Sequence, residues 1–353
     1  MSKVARTAER DEGSYTIRLI AGSANKELAE SVANLLAHQL EDVSVGRFAD
    51  GEIKIHIHNN VRGADVYILQ PTCPPVNDNM MELLFMLHTL NLSSARRITA
   101  VLPYYGYARQ DRKERARTPI SAAAVASLIE TMGPHRVVTL DLHCGQIQGF
   151  FRNVPVDNLF AENEFLERVY SLGLDPTALV IVSPDAGGVS RARRVADKCG
   201  AYGVVTILKR RVTAGQVDSM QLVGDVEGKV AIIWDDIIDT AGTICKAAGL
   251  LKEAGATKVY GCATHGVLSG PALERISKSE MEEVWVSDSI PQGDNAQVCK
   301  KLQVVSIAPL LAEAIHRLHN EESLSRLFTT SHSVRKQEAL EGRASTPLKR
   351  PRK

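Results

Sequence analysis

Short apolar, β-branched runs alternate with amphipathic helical stretches from Tyr15 to Phe328. Strands are predicted over 15–22, 65–71, 97–103, 136–142, 178–184, 202–208, 229–234, 258–266, 283–288 and 302–308. Several are apolar on both faces, the pattern of strands covered by helices on each side of a parallel sheet. Helical periodicity marks 25–40 and 243–256, and the second stretch ends in Lys, Glu and Gly, a C-terminal stop signal. This alternation predicts an α/β fold of βαβ units. The rhythm restarts near 158–178, so two similar domains are expected, at 15–160 and 161–330. Each would be a mostly parallel sheet flanked by helices, facing the other across a cleft. The last helix is expected to pack on the N-terminal domain.

The chain's 353 residues suit two domains. Hydrophobic residues make up 44% and charged residues 24%, which excludes wholesale disorder. A net charge of +1 excludes a strongly basic nucleic-acid coat or an acidic chaperone as a whole-chain identity. No apolar run reaches the ~18 residues of a membrane span. The polar start MSKVARTAERDEGSY lacks the apolar core of a secretory signal. Six scattered cysteines, with no C-x-x-C pair, argue against a disulfide framework or zinc site. A soluble intracellular, cytoplasmic protein is expected. Residues 1–14 read as a polar extension and 331–353 as a basic disordered tail. From Arg335 onward the tail holds seven Lys/Arg and two Glu, or 7 − 2 = +5. PLKRPRK (347–353) also resembles a nuclear-import or polyanion-binding patch, which leaves the nucleus, another organelle or nucleic-acid contact open through the tail alone.

The most specific segment is VAIIWDDIIDTAGTI (230–244). An apolar strand ends in Asp235–Asp236, and a turn, Asp239-Thr240-Ala241-Gly242-Thr243, opens onto a helix. Small residues leave backbone N–H groups and two hydroxyls free to converge on an anion at the helix N-terminus. The two carboxylates would repel a phosphate, and sugar hydroxyls are their natural partners. A ribose 5-phosphate moiety satisfies both demands.

DD-x-x-DT-x-GT resembles the phosphoribosyl diphosphate-binding motif shared by phosphoribosyltransferases and ribose-phosphate diphosphokinases, and alone it does not separate them. DLHCGQIQGFFRNVPVD (141–157) is similar to the diphosphokinase signature and has no transferase counterpart. The resemblance, to class I ribose-phosphate diphosphokinases, covers about residues 15–330 and implies a phosphoribosyltransferase-like fold. It implies that His143 contacts Mg²⁺-ATP and that Asp141 and Asp157 are associated with metal. Two departures stand out: Cys144-Gly145 replaces Ala/Ser-Ser, and RNV precedes Pro155 where two residues are usual.

By the same resemblance, RFADGEIKI (47–55) is the adenine-side loop supplied across a subunit interface, with Phe48 stacking on the base and Asp50 and Glu52 accepting hydrogen bonds. YYGYARQDRKERARTPIS (104–121) matches the ATP loop, where Arg109, Gln110 and Asp111 touch nucleotide. In VSPDAGGVSRARR (182–194), Asp185 would ligate Mg²⁺ beside glycines that admit a diphosphate. KRRVTAGQ (209–216) matches the mobile catalytic loop, with Lys209 and Arg211 as its catalytic cations. Asp235, Asp236, Asp239, Thr240, Ala241, Gly242 and Thr243 would bind ribose 5-phosphate.

The implied reaction is ATP + D-ribose 5-phosphate → AMP + 5-phospho-α-D-ribose 1-diphosphate. The alternatives are a non-catalytic regulatory subunit of the same fold and a phosphoribosyltransferase. The intact catalytic motifs weigh against the first, and the ATP-side motifs against the second. The resemblance also implies dimers assembling into hexamers, with inorganic phosphate as activator and an ADP-responsive allosteric site. Lys113, Arg117, Ser323, Ser325 and Phe328 are its candidates, while Gly145 and Arg326 replace the usual residue types there.

Overall fold

The computed structural model describes residues 15–210 and 219–329. The first half runs β1 (Ile17–Ala21), α1 (Lys26–Leu35), β2 (Val43–Arg47), β3 (Ile53–Ile57), β4 (Asp65–Leu69), α2 (Val76–Leu92), β5 (Arg97–Leu102), α3 (Ser121–Thr131), β6 (Arg136–Leu140) and β7 (Val156–Leu159). The second runs α4 (Glu162–Ser171), β8 (Leu179–Ser183), α5 (Val189–Cys199), β9 (Gly203–Arg210), β10 (Ser219–Val223), β11 (Val230–Ile238), α6 (Gly242–Glu253), β12 (Lys258–Gly266), α7 (Ala272–Lys278), β13 (Val284–Ser287), α8 (Asn295–Val298), β14 (Leu302–Val305), α9 (Ala308–His319) and α10 (Arg326–Thr329).

Two sheets result. The first is wholly parallel in the order β1-β4-β5-β6-β7. The second has the order β10-β9-β8-β11-β12-β13-β14, parallel except where β10 returns against β9. Strands β4 and β8 are buried along their whole length, as apolar runs with no polar face require. Their side chains nevertheless sort by parity. In the first sheet Leu19, Tyr67, Leu69, Val101 and Val138 face inward, while Ile20, Val66, Ile68 and Ala100 pack outward with α2 and α3. In the second, Ile181, Ile232, Trp234 and Trp285 face inward, while Val180, Ala231, Ile233 and Val284 pack with α6 and α7. The inward sets meet in one continuous core with α1, α4, α5 and α9 between them. Helix α9, from the end of the chain, lies against α1.

The predicted helix 25–40 stops at Leu35. Ala37 adopts a left-handed φ of 56°, and Leu40 instead bridges Leu19. Four strands lie outside the predicted set: the β2–β3 ribbon, β7 and the return strand β10. The ribbon is antiparallel and belongs to neither large sheet.

Candidate functional site

A cleft of about 1150 Å³ opens where the loops after β5, β6, β8 and β11 converge. These are carboxyl ends of parallel strands. In the second sheet, strand order runs outward in both directions from the β8–β11 pair, making the crevice between them a topological switch point. The register shows how β11 presents its acidic pair. Its pairing with β8 ends at Ile233↔Val182, but pairing with β12 continues through Asp235↔Ala263 to Ile238↔Gly266. Asp235 and Asp236 therefore stand beyond the end of β8 and still on a rigid strand.

Below them the chain turns through Asp239 and Thr240 to Ala241, held at φ 57°, and α6 begins at Gly242 without a side-chain cap. Its first amide donors are thus left to whatever enters the cleft. Arg275 Nη1 donates to the Thr240 carbonyl at 2.9 Å and braces this turn from behind. Arg109, from the loop after β5, reaches across to Asp239 Oδ2 at 2.6 Å. The loop after β5 and the turn before α6 therefore already touch.

His143 Nδ1 lies 2.7 Å from Asp236 Oδ2, and Arg191 Nη1 donates to Asp236 Oδ1 at 3.2 Å. The Asp236 amide donates to Asp235 Oδ1 at 2.9 Å. Burial pushes Asp235 up, and its charged neighbour Asp236 pushes it further. Burial also works to raise Asp236, but the hydrogen bond from His143 and the charge of Arg191 hold it well below the ordinary carboxylate range. The Asp236 contact raises His143 against the effect of its own burial. Two adjacent carboxylates are thus driven apart, one favouring its neutral form and the other its anion.

Asp185 Oδ1 accepts the Gly188 amide at 3.1 Å and shapes the turn that starts α5. Asp141 lines the cleft but is committed: Oδ2 accepts the Ala161 amide at 2.9 Å and the Thr264 hydroxyl at 2.7 Å, and burial raises its carboxyl. Its backbone, at φ 38°, is pinned by His265, whose Nε2 lies 3.1 Å from the Leu140 carbonyl and 3.3 Å from that of Asp141.

The structure brings together Arg109, Asp111, His143, Asp141, Asp185, Asp235, Asp236, Asp239, Thr240, Ala241, Gly242 and Thr243 around one cleft, with Cys144 and Gly145 on its wall. It does not bring Asp157 there. That carboxylate is ion-paired with Arg136 on the neighbouring strand, and Asn158, the next residue, lines the cleft. Gln110 also lies off the cleft lining, accepting from the Ser121 hydroxyl. Phe48, 51% exposed, Asp50 and Glu52 sit in the β2–β3 turn away from the cleft, Asp50 Oδ1 capping the Glu52 amide at 3.1 Å. Lys113, Arg117, Ser323 and Ser325 are exposed and do not line it. The backbone of Lys209 pairs with Met220 at the end of β9. The side chains of Lys209 and Phe328, all of Arg211, the 1–14 extension and the tail from Thr330 lie outside the described residues.

Sequence reasoning missed Arg191, His265 and Thr264. Arg191 carried a signal, since a cation in the first turn of a helix opposes the helix dipole unless carboxylates surround it. Among the described residues no group of three or more His, Cys, Asp or Glu is placed to hold a metal ion, and no helix is long and apolar enough to cross a membrane. Mg²⁺ needs no such cage, since one or two carboxylates, waters and substrate phosphates suffice. Asp185 with its hard oxygens fits that limited role; Asp157, held by Arg136, does not.

Residues 17–133 match the N-terminal domain of ribose phosphate pyrophosphokinase, and 201–329 match the phosphoribosyl synthetase-associated domain. The chain is 50% identical over 313 residues to a ribose-phosphate pyrophosphokinase of Vibrio parahaemolyticus, covering 88% of this chain and 99% of that one. It is 48% identical over 314 residues to ribose-phosphate pyrophosphokinase A of Dictyostelium discoideum, covering 89% and 98%. The crystal structure of phosphoribosylpyrophosphate synthetase from Mycobacterium smegmatis superposes with a TM-score of 0.80 at 43% identity, covering 87% of this chain and 99% of that one.

Proposed function

Because the chain belongs to the ribose-phosphate pyrophosphokinase family, we propose that it moves the diphosphoryl group of ATP to the 1-hydroxyl of D-ribose 5-phosphate, yielding AMP and 5-phospho-α-D-ribose 1-diphosphate for nucleotide biosynthesis. The observation that carries this reading is the acidic pair on β11 set directly before an uncapped helix N-terminus, within one cleft that also holds His143 and Arg109.

The 5-phosphate sits at the start of α6, receiving the Gly242 amide and the hydroxyls of Thr240 and Thr243. Asp235 and Asp236 accept the ribose hydroxyls. ATP lies along the Arg109–Asp111 loop and His143, and Arg109 exchanges its contact with Asp239 for the polyphosphate. The anomeric oxygen attacks the β-phosphorus and AMP leaves in line. Lys209 and Arg211 offset the charge that develops on the reacting group, since phosphoryl transfer depends mainly on positioning and neutralisation. Mg²⁺ would be held by Asp185 and His143, and when bound it neutralises polyphosphate charge. Asp141, metal-associated by the resemblance, also pins β6 to β12 through the Thr264 hydroxyl.

Residues 15–160 thus form the ATP side and 161–330 the ribose 5-phosphate side. The exposed Phe48 turn supports an assembly in which a second copy supplies Phe48, Asp50 and Glu52 to the base, the homo-oligomer being dimers that assemble into a hexamer by resemblance. Lys113, Arg117, Ser323, Ser325 and Phe328 form an allosteric site for which inorganic phosphate is the activator. The protein works in the cytoplasm.

³¹P NMR of the protein with ATP, ribose 5-phosphate, Mg²⁺ and inorganic phosphate tests the reaction. AMP with a new diphosphate ester is expected; ADP would mean γ-transfer and overturn the mechanism.

A further inference from the structure

Arg191 is the third residue of α5, and its side chain is 14% exposed. Its Nη1 lies 3.2 Å from Asp236 Oδ1 and 3.7 Å from Asp235 Oδ1. A buried guanidinium at the positive end of a helix dipole is costly twice over, through desolvation and through the dipole. Such a placement is tolerated where carboxylates surround it, and Asp141, Asp185, Asp235 and Asp236 all act on this charge.

The contact pattern is directional. Asp236 uses Oδ1 for Arg191 and Oδ2 for His143. Asp235 accepts the Asp236 amide and lies within reach of the same guanidinium nitrogen. One side chain thus orients both ends of the acidic pair and, through Asp236, the His143 ring. Both contacts come from one nitrogen, Nη1, whose place is set by a long, planar guanidinium that a point-charge ammonium on a shorter stem does not reproduce.

We propose that Arg191 is a positioning residue for this reaction: it holds the carboxylates of Asp235 and Asp236 in the orientation that receives the ribose hydroxyls. The inference rests on the ribose 5-phosphate reading above and deepens it.

Arg191→Lys keeps the charge and removes the planar guanidinium; Arg191→Met removes both. Steady-state kinetics give KM for ribose 5-phosphate separately from kcat. Calorimetry measures ribose 5-phosphate binding with Mg²⁺ and the α,β-methylene analogue of ATP present. In Arg191→Lys, KM and Kd for ribose 5-phosphate are expected to rise together by about tenfold, a typical cost of misplacing positioning groups by a fraction of an ångström. If both stay within twofold of wild type, whatever happens to Tm, Arg191 serves only the fold and the proposal fails. Should Arg191→Met prove insoluble, the Lys variant decides alone. A wild type that binds ribose 5-phosphate without making the diphosphate product would sink the reaction yet leave the Arg191 comparison valid. A wild type that binds no ribose 5-phosphate would overturn both.

Discussion

His319, the last residue of α9, lies 2.7 Å through Nδ1 from Oδ2 of Asp65, at the start of β4. Asp65 is completely buried and also accepts Arg97 Nε at 2.7 Å and the Tyr67 hydroxyl at 3.1 Å. Arg97 Nη2 donates in turn to the Leu318 carbonyl at 3.2 Å. The end of the second half is therefore fastened to the first sheet by one buried carboxylate.

Removing that carboxylate leaves Arg97 and His319 facing each other without a counter-charge. Asp65→Ala is expected to lose about 3–5 kcal/mol in denaturant unfolding, the usual result of breaking a buried pair from one side. Burial works to raise the Asp65 pKa, but Arg97 and His319 bring it below the ordinary 3.8. Its contribution is therefore present above pH 3.8 and disappears as pH falls through the lower folded value. The wild type should lose stability there more steeply than Asp65→Ala.

The His143–Asp236 contact gives the opposite sign. It raises the His143 pKa above 6.5, so its contribution to stability is complete below pH 6.5 and is lost as pH rises through the folded value. In Asp236→Asn the ring should titrate at lower pH than in wild type, read from the imidazole resonances in NMR. An unchanged titration would mean that the ring does not depend on Asp236.

Lys209→Ala is expected to lower kcat by at least ~10²-fold, the scale of losing one transition-state donor. Near-normal turnover would remove Lys209 from the mechanism.

The two glycines after Asp185 should differ. A Cβ on Gly188 would lie 2.8 Å from Ser183 Oγ, which itself donates to the Asp185 carbonyl at 2.6 Å. On Gly187 the nearest atom would be Asp185 Oδ1, at an ordinary 3.4 Å. Gly188→Ala should cost about 1–3 kcal/mol by thermal denaturation, as overpacking does, and weaken ATP binding. Gly187→Ala should leave stability nearly unchanged.

Apolar runs read directly as the central strands, and the strand–turn–helix junction after Asp235–Asp236 was legible because two carboxylates end an apolar run just before a stretch of small residues. The ribbon strands β2 and β3 were less visible: alternation such as that of Ile53, Ile55 and Ile57 is short, and the intervening turn dominates the pattern. Arg191 was hidden among the basic residues of VSRARR, where only its depth separates it from its exposed neighbour Arg193. Asp157 shows the converse. A carboxylate in a metal-associated motif is diverted when the adjacent strand opens with an arginine, and strand register is a long-range property that local pattern does not report.

The inward faces of the two sheets share one continuous apolar core. A half expressed alone would expose Trp234 and Trp285, or Tyr67 and Leu140, to water without partners. Unfolding is therefore expected as a single calorimetric transition in which the van't Hoff and calorimetric enthalpies agree. Neither half should persist as a soluble fragment, so the boundary near residue 160 separates two sheets without separating two folding units.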